Sequence, residues 1–246
     1  MAKKPKKQRL DNLLVEQGYF ETTGQALRSV LAHEVKVDDV YATSAAIKVL
    51  PSADIVVKGK KSYVSRGGYK LQGALDYFKQ AVKGLRCIDI GSSTGGFSDC
   101  LLQEGAAEVT CVDVNYGQLA WKIRQNPRVK VFERTNIKLA SPEELNAPFD
   151  ILVADLSFIG LAQLASAFAA LSKPGSVFIG LIKPQFESHH DETERGIVVD
   201  PAVRMRVIDE VKEALIAEGF EVDGVVESSI KGTHGNVEFL VRAVYK

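Results

Sequence analysis

Apolar positions change their period once along this chain, and the change divides it into two regions. From Leu10 to Leu31 they recur at helical spacing. Leu10, Leu13 and Leu14 form one stripe in RLDNLLVEQGYF, closing at Gly18, and Ala26, Leu27, Val30 and Leu31 form a second, inward-facing stripe in TTGQALRSVLAHE, which opens on a threonine cap. Short strand-like runs follow at residues 34–37 and 54–57, so two helices and a small hairpin make a compact α+β module. From Lys83 onward, apolar runs of strand length alternate with helical patterns. The predicted strands span 87–91, 109–115, 130–133, 151–155 and 176–182, with a final antiparallel pair at 220–230 and 236–245. Alternation of this kind predicts an α/β fold built on a mostly parallel, seven-stranded sheet covered on both faces.

Four strand ends carry charges or glycines that a core has no use for. In CIDIGSSTGGFSDCLL, Gly91, Gly95 and Gly96 make a GxxxGG turn that opens a helix, with Ser92 and Thr94 inside it. Glycines there let a ligand approach the backbone, and Asp113 ends the next strand 24 residues after Asp89, where a carboxylate meets a ribose in nucleotide-binding folds. The spacing is not that of dinucleotide binders, and Asp89 beneath the turn would repel a pyrophosphate while tolerating a cationic sulfonium. These residues predict an S-adenosylmethionine site; the bland alternative is a tight strand-to-helix connection. Asp155 in ILVADLSF and Lys183 in LIKPQF each terminate a buried strand. In open α/β sheets ligands sit at such ends, and a buried charge needs a partner, so these two are expected to pair. A purely structural ion pair is the competing explanation.

Composition narrows the setting. The 246 residues include 46% hydrophobic ones, enough for one substantial domain plus a small one. Cys87, Cys100 and Cys111 show no CxxC spacing, which points to a reducing cytoplasm. Lys+Arg and Asp+Glu balance at 31 each, but residues 1–64 hold 11 basic and 7 acidic side chains, leaving 20 and 24 for the rest. A basic module ahead of an acidic body is the asymmetry of a polyanion-binding part joined to a catalytic one, unless the lysine tail at residues 1–8 is only a solvated end. No apolar stretch follows that tail, so it does not read as a secretory signal.

The order of elements in residues 9–62 resembles the S4 RNA-binding domain, on Arg9, Leu10, Asp11, Leu14, Val15, Gly18, Ala26, Arg28, Val35 and Val37. Thr22-Thr23 and His33 depart from the usual Ser-Arg and turn glycine. Behind it, SRGGYKL, DIGSSTGGFSDCLLQEGA, VDVNYGQLAW, ERTNIK, VADLSFI, LIKPQFE and GNVEFL occur in an order closely similar to the TlyA family of ribosomal RNA methyltransferases, whose members also carry the name hemolysin. The catalytic domain (83–246, reached through a linker and first helix at 63–82) resembles FtsJ-like ribose methyltransferases with a Rossmann-like class I fold. Its K-D-K-E tetrad falls on Lys70, Asp155, Lys183 and Glu238.

The resemblance implies a cytoplasmic enzyme that uses S-adenosylmethionine to methylate cytidine 2′-hydroxyls in 16S and 23S rRNA, or in one of the two, within ribosomal RNA or ribosomal subunits. It implies RNA contacts at Arg9, Arg28 and Arg66, and a cofactor site at Asp89, Gly91, Ser92, Thr94, Gly95, Gly96, Asp113, Asn136 and Asp155. Asn136 reads equally as a turn former, and SRGGYK as a flexible linker. In this chemistry Lys183 serves either as the base or as a cation stabilising the alkoxide, Asp155 orients it, and Glu238 holds Lys70 or the ribose. No metal is expected: in ESHHDETERG the adjacent His189 and His190 point different ways, and the segment reads as a loop on the substrate side. Trp121, Phe158 and Phe186 are expected in the core, with base stacking as the alternative. Two rivals are an RNA-binding assembly factor without catalysis and a membrane-active protein, the latter prompted by the nearly apolar ILVADLSFIGLAQLASAFAAL. Asp155 opposes a membrane span, and Leu161, Leu164, Ala165, Phe168 and Leu171 fit a one-sided helix after a strand.

Overall fold

The computed structural model describes residues 7–17, 19, 20, 22–51, 53, 55–59, 63–232 and 235–246. Most of the basic tail, Gly18 and Asp54 lie outside the described residues. The chain divides after Arg66 into two compact units.

The first unit contains β1 (Gln8–Arg9), α1 (Leu10–Glu16), α2 (Thr23–Leu31), β2 (Val35–Val37), β3 (Val40–Tyr41), β4 (Lys48–Val49) and β5 (Ile55–Val57). β2 lies between β3 and β5 in an antiparallel sheet, and β1 pairs with β4. Thr22 caps α2 as predicted: its hydroxyl accepts from the Gln25 amide while the Gln25 side chain accepts from the Thr22 amide. The helix buries only Ala26 and Val30; Leu27 and Leu31, expected inward, are exposed. A nine-residue helix resting chiefly on α1 offers a narrow contact, and residues one step round the helix fall outside it. Of the RNA-contact candidates, Arg28 is exposed, Arg66 is half-buried, and Arg9 forms a forked pair with Asp11 at 2.6 and 3.0 Å.

The second unit is organised by a seven-stranded sheet. Its elements are α3 (Gly67–Phe78), β6 (Arg86–Ile90), α4 (Gly96–Gln103), β7 (Glu108–Val112), α5 (Trp121–Arg124), β8 (Val129–Phe132), β9 (Phe149–Ala154), α6 (Ala165–Ala170), β10 (Ser172–Ile182), α7 (Pro184–Glu187), α8 (Pro201–Ala217), β11 (Phe220–Glu227) and β12 (Phe239–Tyr245). The strand order is β11-β12-β10-β9-β6-β7-β8, and β12 alone runs against the others. Strands stop earlier than their apolar patterns: the last pair ends at Glu227 and begins at Phe239, leaving Asn236 and Glu238 in the connecting segment. One face of the sheet packs Ile88, Ile90, Leu152, Phe178 and Val241 against Phe168 and Val211. Phe168 and Phe178 stack at 4.4 Å. The other face of β6 meets α4, and α4 meets α3. Because β7 lies on one side of β6 and β9 on the other, the chain reverses direction across the sheet there, and a crevice opens at the carboxyl ends.

Candidate active site

The ladder between β10 and β12 ends with Ile182 opposite Phe239, so Lys183 and Glu238 leave the sheet at the same rim. β9 runs parallel beside β10 and delivers Asp155 there as well. Lys183 Nζ lies 2.6 Å from Asp155 Oδ1 and 3.4 Å from the Ser157 hydroxyl. The first of these is a charge contact without an aligned hydrogen bond, since Oδ1 has no hydrogen-bond partner. On α3, Lys70 Nζ donates to Glu238 Oε2 at 2.5 Å, with side chains only 8% and 2% exposed. Gln185, two residues beyond Lys183, extends Nε2 to Glu238 Oε1 at 3.5 Å. An ion pair this buried is retained only where each charge has its partner.

Asp155 also lines a cavity of about 460 Å³, walled by the ends of β6, β7 and β9 and the loop after β8. Gly91, Ser93, Asp113, Asn136, Asp155 and Phe158 are among its lining residues. That volume suits a nucleoside-sized ligand.

The profile of FtsJ-like methyltransferases matches residues 63–245. YqxC of Bacillus subtilis, described as an rRNA methyltransferase, is 43% identical over 96% of this chain and 85% of its own. The 16S/23S rRNA (cytidine-2′-O)-methyltransferase TlyA of Mycobacterium tuberculosis is 40% identical over 95% of this chain and 88% of its own. The chain is an FtsJ-like methyltransferase of the TlyA family. A solved structure from Streptococcus thermophilus, of a protein described as a hemolysin, superposes on this methyltransferase with a TM-score of 0.78 at 38% identity, covering 99% of this chain and 90% of that one. Among the described residues of the methyltransferase no helix is long and apolar enough to cross a membrane.

The glycine turn of this methyltransferase is built by conformation as much as by contact. Gly91 has φ +81°, and a Cβ there would stand 2.8 Å from the Asp155 carbonyl oxygen and 2.9 Å from Leu156. The missing side chain is what lets the ends of β6 and β9 come together. Ser92, Thr94, Gly95 and Gly96 form the rest of the turn, with Gly95 in the left-handed region ahead of α4. Asp113 holds the turn in place, accepting from the Ser93 amide at 2.7 Å through Oδ2 and from the Asn115 amide at 2.8 Å through Oδ1. Asn136 closes a turn of its own, Oδ1 accepting from the Lys138 amide at 3.0 Å, and lines the cavity too.

Asp89 is fully buried under the turn. Its Oδ2 accepts from the Ser98 amide at 2.9 Å and the Ser98 hydroxyl at 2.6 Å, while Oδ1 has no partner. Burial pushes this carboxyl up to about 7; the Ser98 hydrogen bonds pull it back, and the charges of Asp155 and Asp113 add to the rise.

Sequence reasoning missed Ser98, Ser157 and Gln185, none of which carries a distinctive local pattern. It also misplaced two aromatics. Trp121 and Phe158 are 68% and 92% exposed, not core; Phe158 follows the end of β9 with φ +69°, which turns its ring out to the cavity rim, 5.4 Å from Phe186.

Proposed function

We propose that this protein methylates the 2′-hydroxyl of a cytidine in ribosomal RNA, using S-adenosylmethionine, with the tetrad Lys70, Asp155, Lys183 and Glu238 at the reacting centre. The observation that carries the reading is the Lys183–Asp155 ion pair at a cavity that Asp155 lines, with the buried Lys70–Glu238 pair leaving the sheet at the same rim and Gln185, two residues after Lys183, bonded to Glu238. The relatives named rRNA methyltransferases span nearly the whole chain.

The residues present fit S-adenosylmethionine. The lining contributes Asp113 and Asn136 for hydroxyl and amine groups, Ile90, Val112 and Ile137 for a flat ring, and Asp155 beside a positive charge. The unpartnered Oδ1 of Asp89 is a further acceptor beneath the turn. When bound, the cofactor supplies a methyl group on a sulfonium. Lys183, steered by Asp155 and Ser157, directs its remaining N–H bonds to the ribose oxygen and stabilises the negative charge that grows as the hydroxyl proton passes to solvent. Lys70 and Glu238 form a buried, charge-neutral pair, and Gln185, two residues after Lys183, bonds to it. Phe158 offers its exposed ring to the base of the target nucleotide. Arg9, Arg28 and Arg66 in the first unit supply positive charge for RNA phosphates.

Incubation with labelled S-adenosylmethionine and ribosomal subunits lacking the modification, followed by mapping of ribose methylation, tests the proposal. Transfer to a cytidine 2′-oxygen supports it; absence of transfer to either subunit overturns it.

A further inference from the structure

Glu187 ends α7, one helical turn beyond Lys183, and its carboxylate reaches back to the segment that follows Asp155. Oε1 accepts from the Leu161 amide at 2.6 Å, and the Ala162 amide also donates to the carboxylate. Gly160 packs directly beneath it: a Cβ on Gly160 would stand 2.2 Å from Oε2 and 2.8 Å from the carboxylate carbon. The segments 155–161 and 183–187 are thus stitched at three points: Asp155 to Lys183, Phe158 to Phe186, and Glu187 to Gly160 and Leu161. The first joins two side chains at 2.6 Å without an aligned hydrogen bond, and the second is a tilted ring contact at 5.4 Å. The third grips the backbone itself, with a 2.6 Å bond to the Leu161 amide and no room for a methyl group on Gly160.

We propose that Glu187 is a positioning residue for methyl transfer: by clasping Gly160 and Leu161 it sets the distance between the two segments, and through them the placement of Lys183 against Asp155 and of Phe158 at the cavity rim. Glu187 does not touch the reacting atoms. The inference rests on the proposed methyl transfer, and it explains why a glycine stands at 160 and a carboxylate at 187, which neither strand ends nor core packing requires.

Three full-length variants test it, Glu187→Ala, Glu187→Gln and Gly160→Ala, with two readouts: steady-state methylation of unmodified subunits, and the rate at which an amine-reactive acylating reagent labels Lys183, followed by mass spectrometry. A displacement of about 1 Å at a reacting group costs on the order of 100-fold in rate, so Glu187→Ala and Gly160→Ala are expected to lower kcat by roughly 10-fold or more at nearly unchanged KM. Both are expected to speed labelling of Lys183. Glu187→Gln keeps one acceptor oxygen and is expected to restore most of the lost kcat and protection. Should Glu187→Ala not fold, Gly160→Ala and Glu187→Gln carry the same test. Unchanged labelling and unchanged kcat in the folded variants overturn the proposal, as does a loss confined to KM. Should the unmodified protein transfer no methyl group, the functional reading fails while Lys183 labelling still decides the clasp.

Discussion

Lys70 and Glu238, 168 positions apart in sequence, meet at 2.5 Å in the interior of the second unit, with Glu238 also receiving Gln185 on its other oxygen. Neither charge has bulk water to turn to, so each stands only because of the other.

Lys70→Met therefore leaves Glu238 buried without its counter-ion and is expected to destabilise the protein by about 3–5 kcal/mol. Lys70→Met combined with Glu238→Leu replaces the pair with apolar side chains and is expected to recover most of that stability in denaturant titration. Methyl transfer is expected to stay low in both. Full activity in the double variant removes the pair from the active site.

Lys183 and Asp155 are both partly exposed at the rim, so removing Lys183 leaves a carboxylate that keeps some access to water. Lys183→Ala is expected to fold normally and bind ribosomal RNA as the unmodified protein does. Its transfer rate is expected to fall by a factor of about 100 or more, the cost of losing one donor to a developing oxyanion. Filter binding alongside labelled-methyl transfer measures both. A variant that still transfers at the original rate contradicts the assigned role.

Asp89 makes stability depend on pH in a defined sense. Its carboxyl is raised from the ordinary 3.8 to about 7 in the folded protein, so the folded state holds the proton more tightly than the unfolded chain. Its contribution is full below about pH 4 and is lost as pH rises through 7. The expected observation is a melting temperature that declines between pH 5 and 8 and a shallower decline in Asp89→Asn, which keeps an acceptor for Ser98 but does not titrate. Parallel curves for the two proteins contradict the assignment.

Gly91→Ala places a Cβ against the Asp155 carbonyl and forces an L residue to φ +81°. The left-handed backbone alone costs about 1–2 kcal/mol. Because the clash pushes on the residue that faces Lys183, the transfer rate is expected to fall by more than the folded fraction does, measured by thermal melts beside activity. Equal losses in both mark the glycine as structural only.

The parallel strands were legible because apolar runs of strand length, each followed by a helical stripe, leave few alternatives to a covered sheet, and the pairing of Asp155 with Lys183 followed from two charges ending buried strands. Strand ends were less legible: hydrophobic residues continue past the last rung, and the 220–230 pattern runs three residues beyond β11. Leu27 and Leu31 read as inward because helical spacing shows which residues share a face, not how wide a face the neighbouring helix covers. Phe158 read as core because its apolar neighbours are core, whereas its own backbone turns to positive φ and carries the ring outward.

By itself the sequence determined what each short segment prefers: the period of every element, the glycine turn, the threonine cap, and the charges waiting at strand ends. Only the tertiary structure decided who meets whom, that Lys70 joins Glu238, that Gln185 also reaches Glu238, and that Glu187 closes over Gly160. Local preferences depend on neighbours three or four residues away, but these meetings depend on strand order and on the register that sets Ile182 opposite Phe239, which the packing of the whole sheet selects.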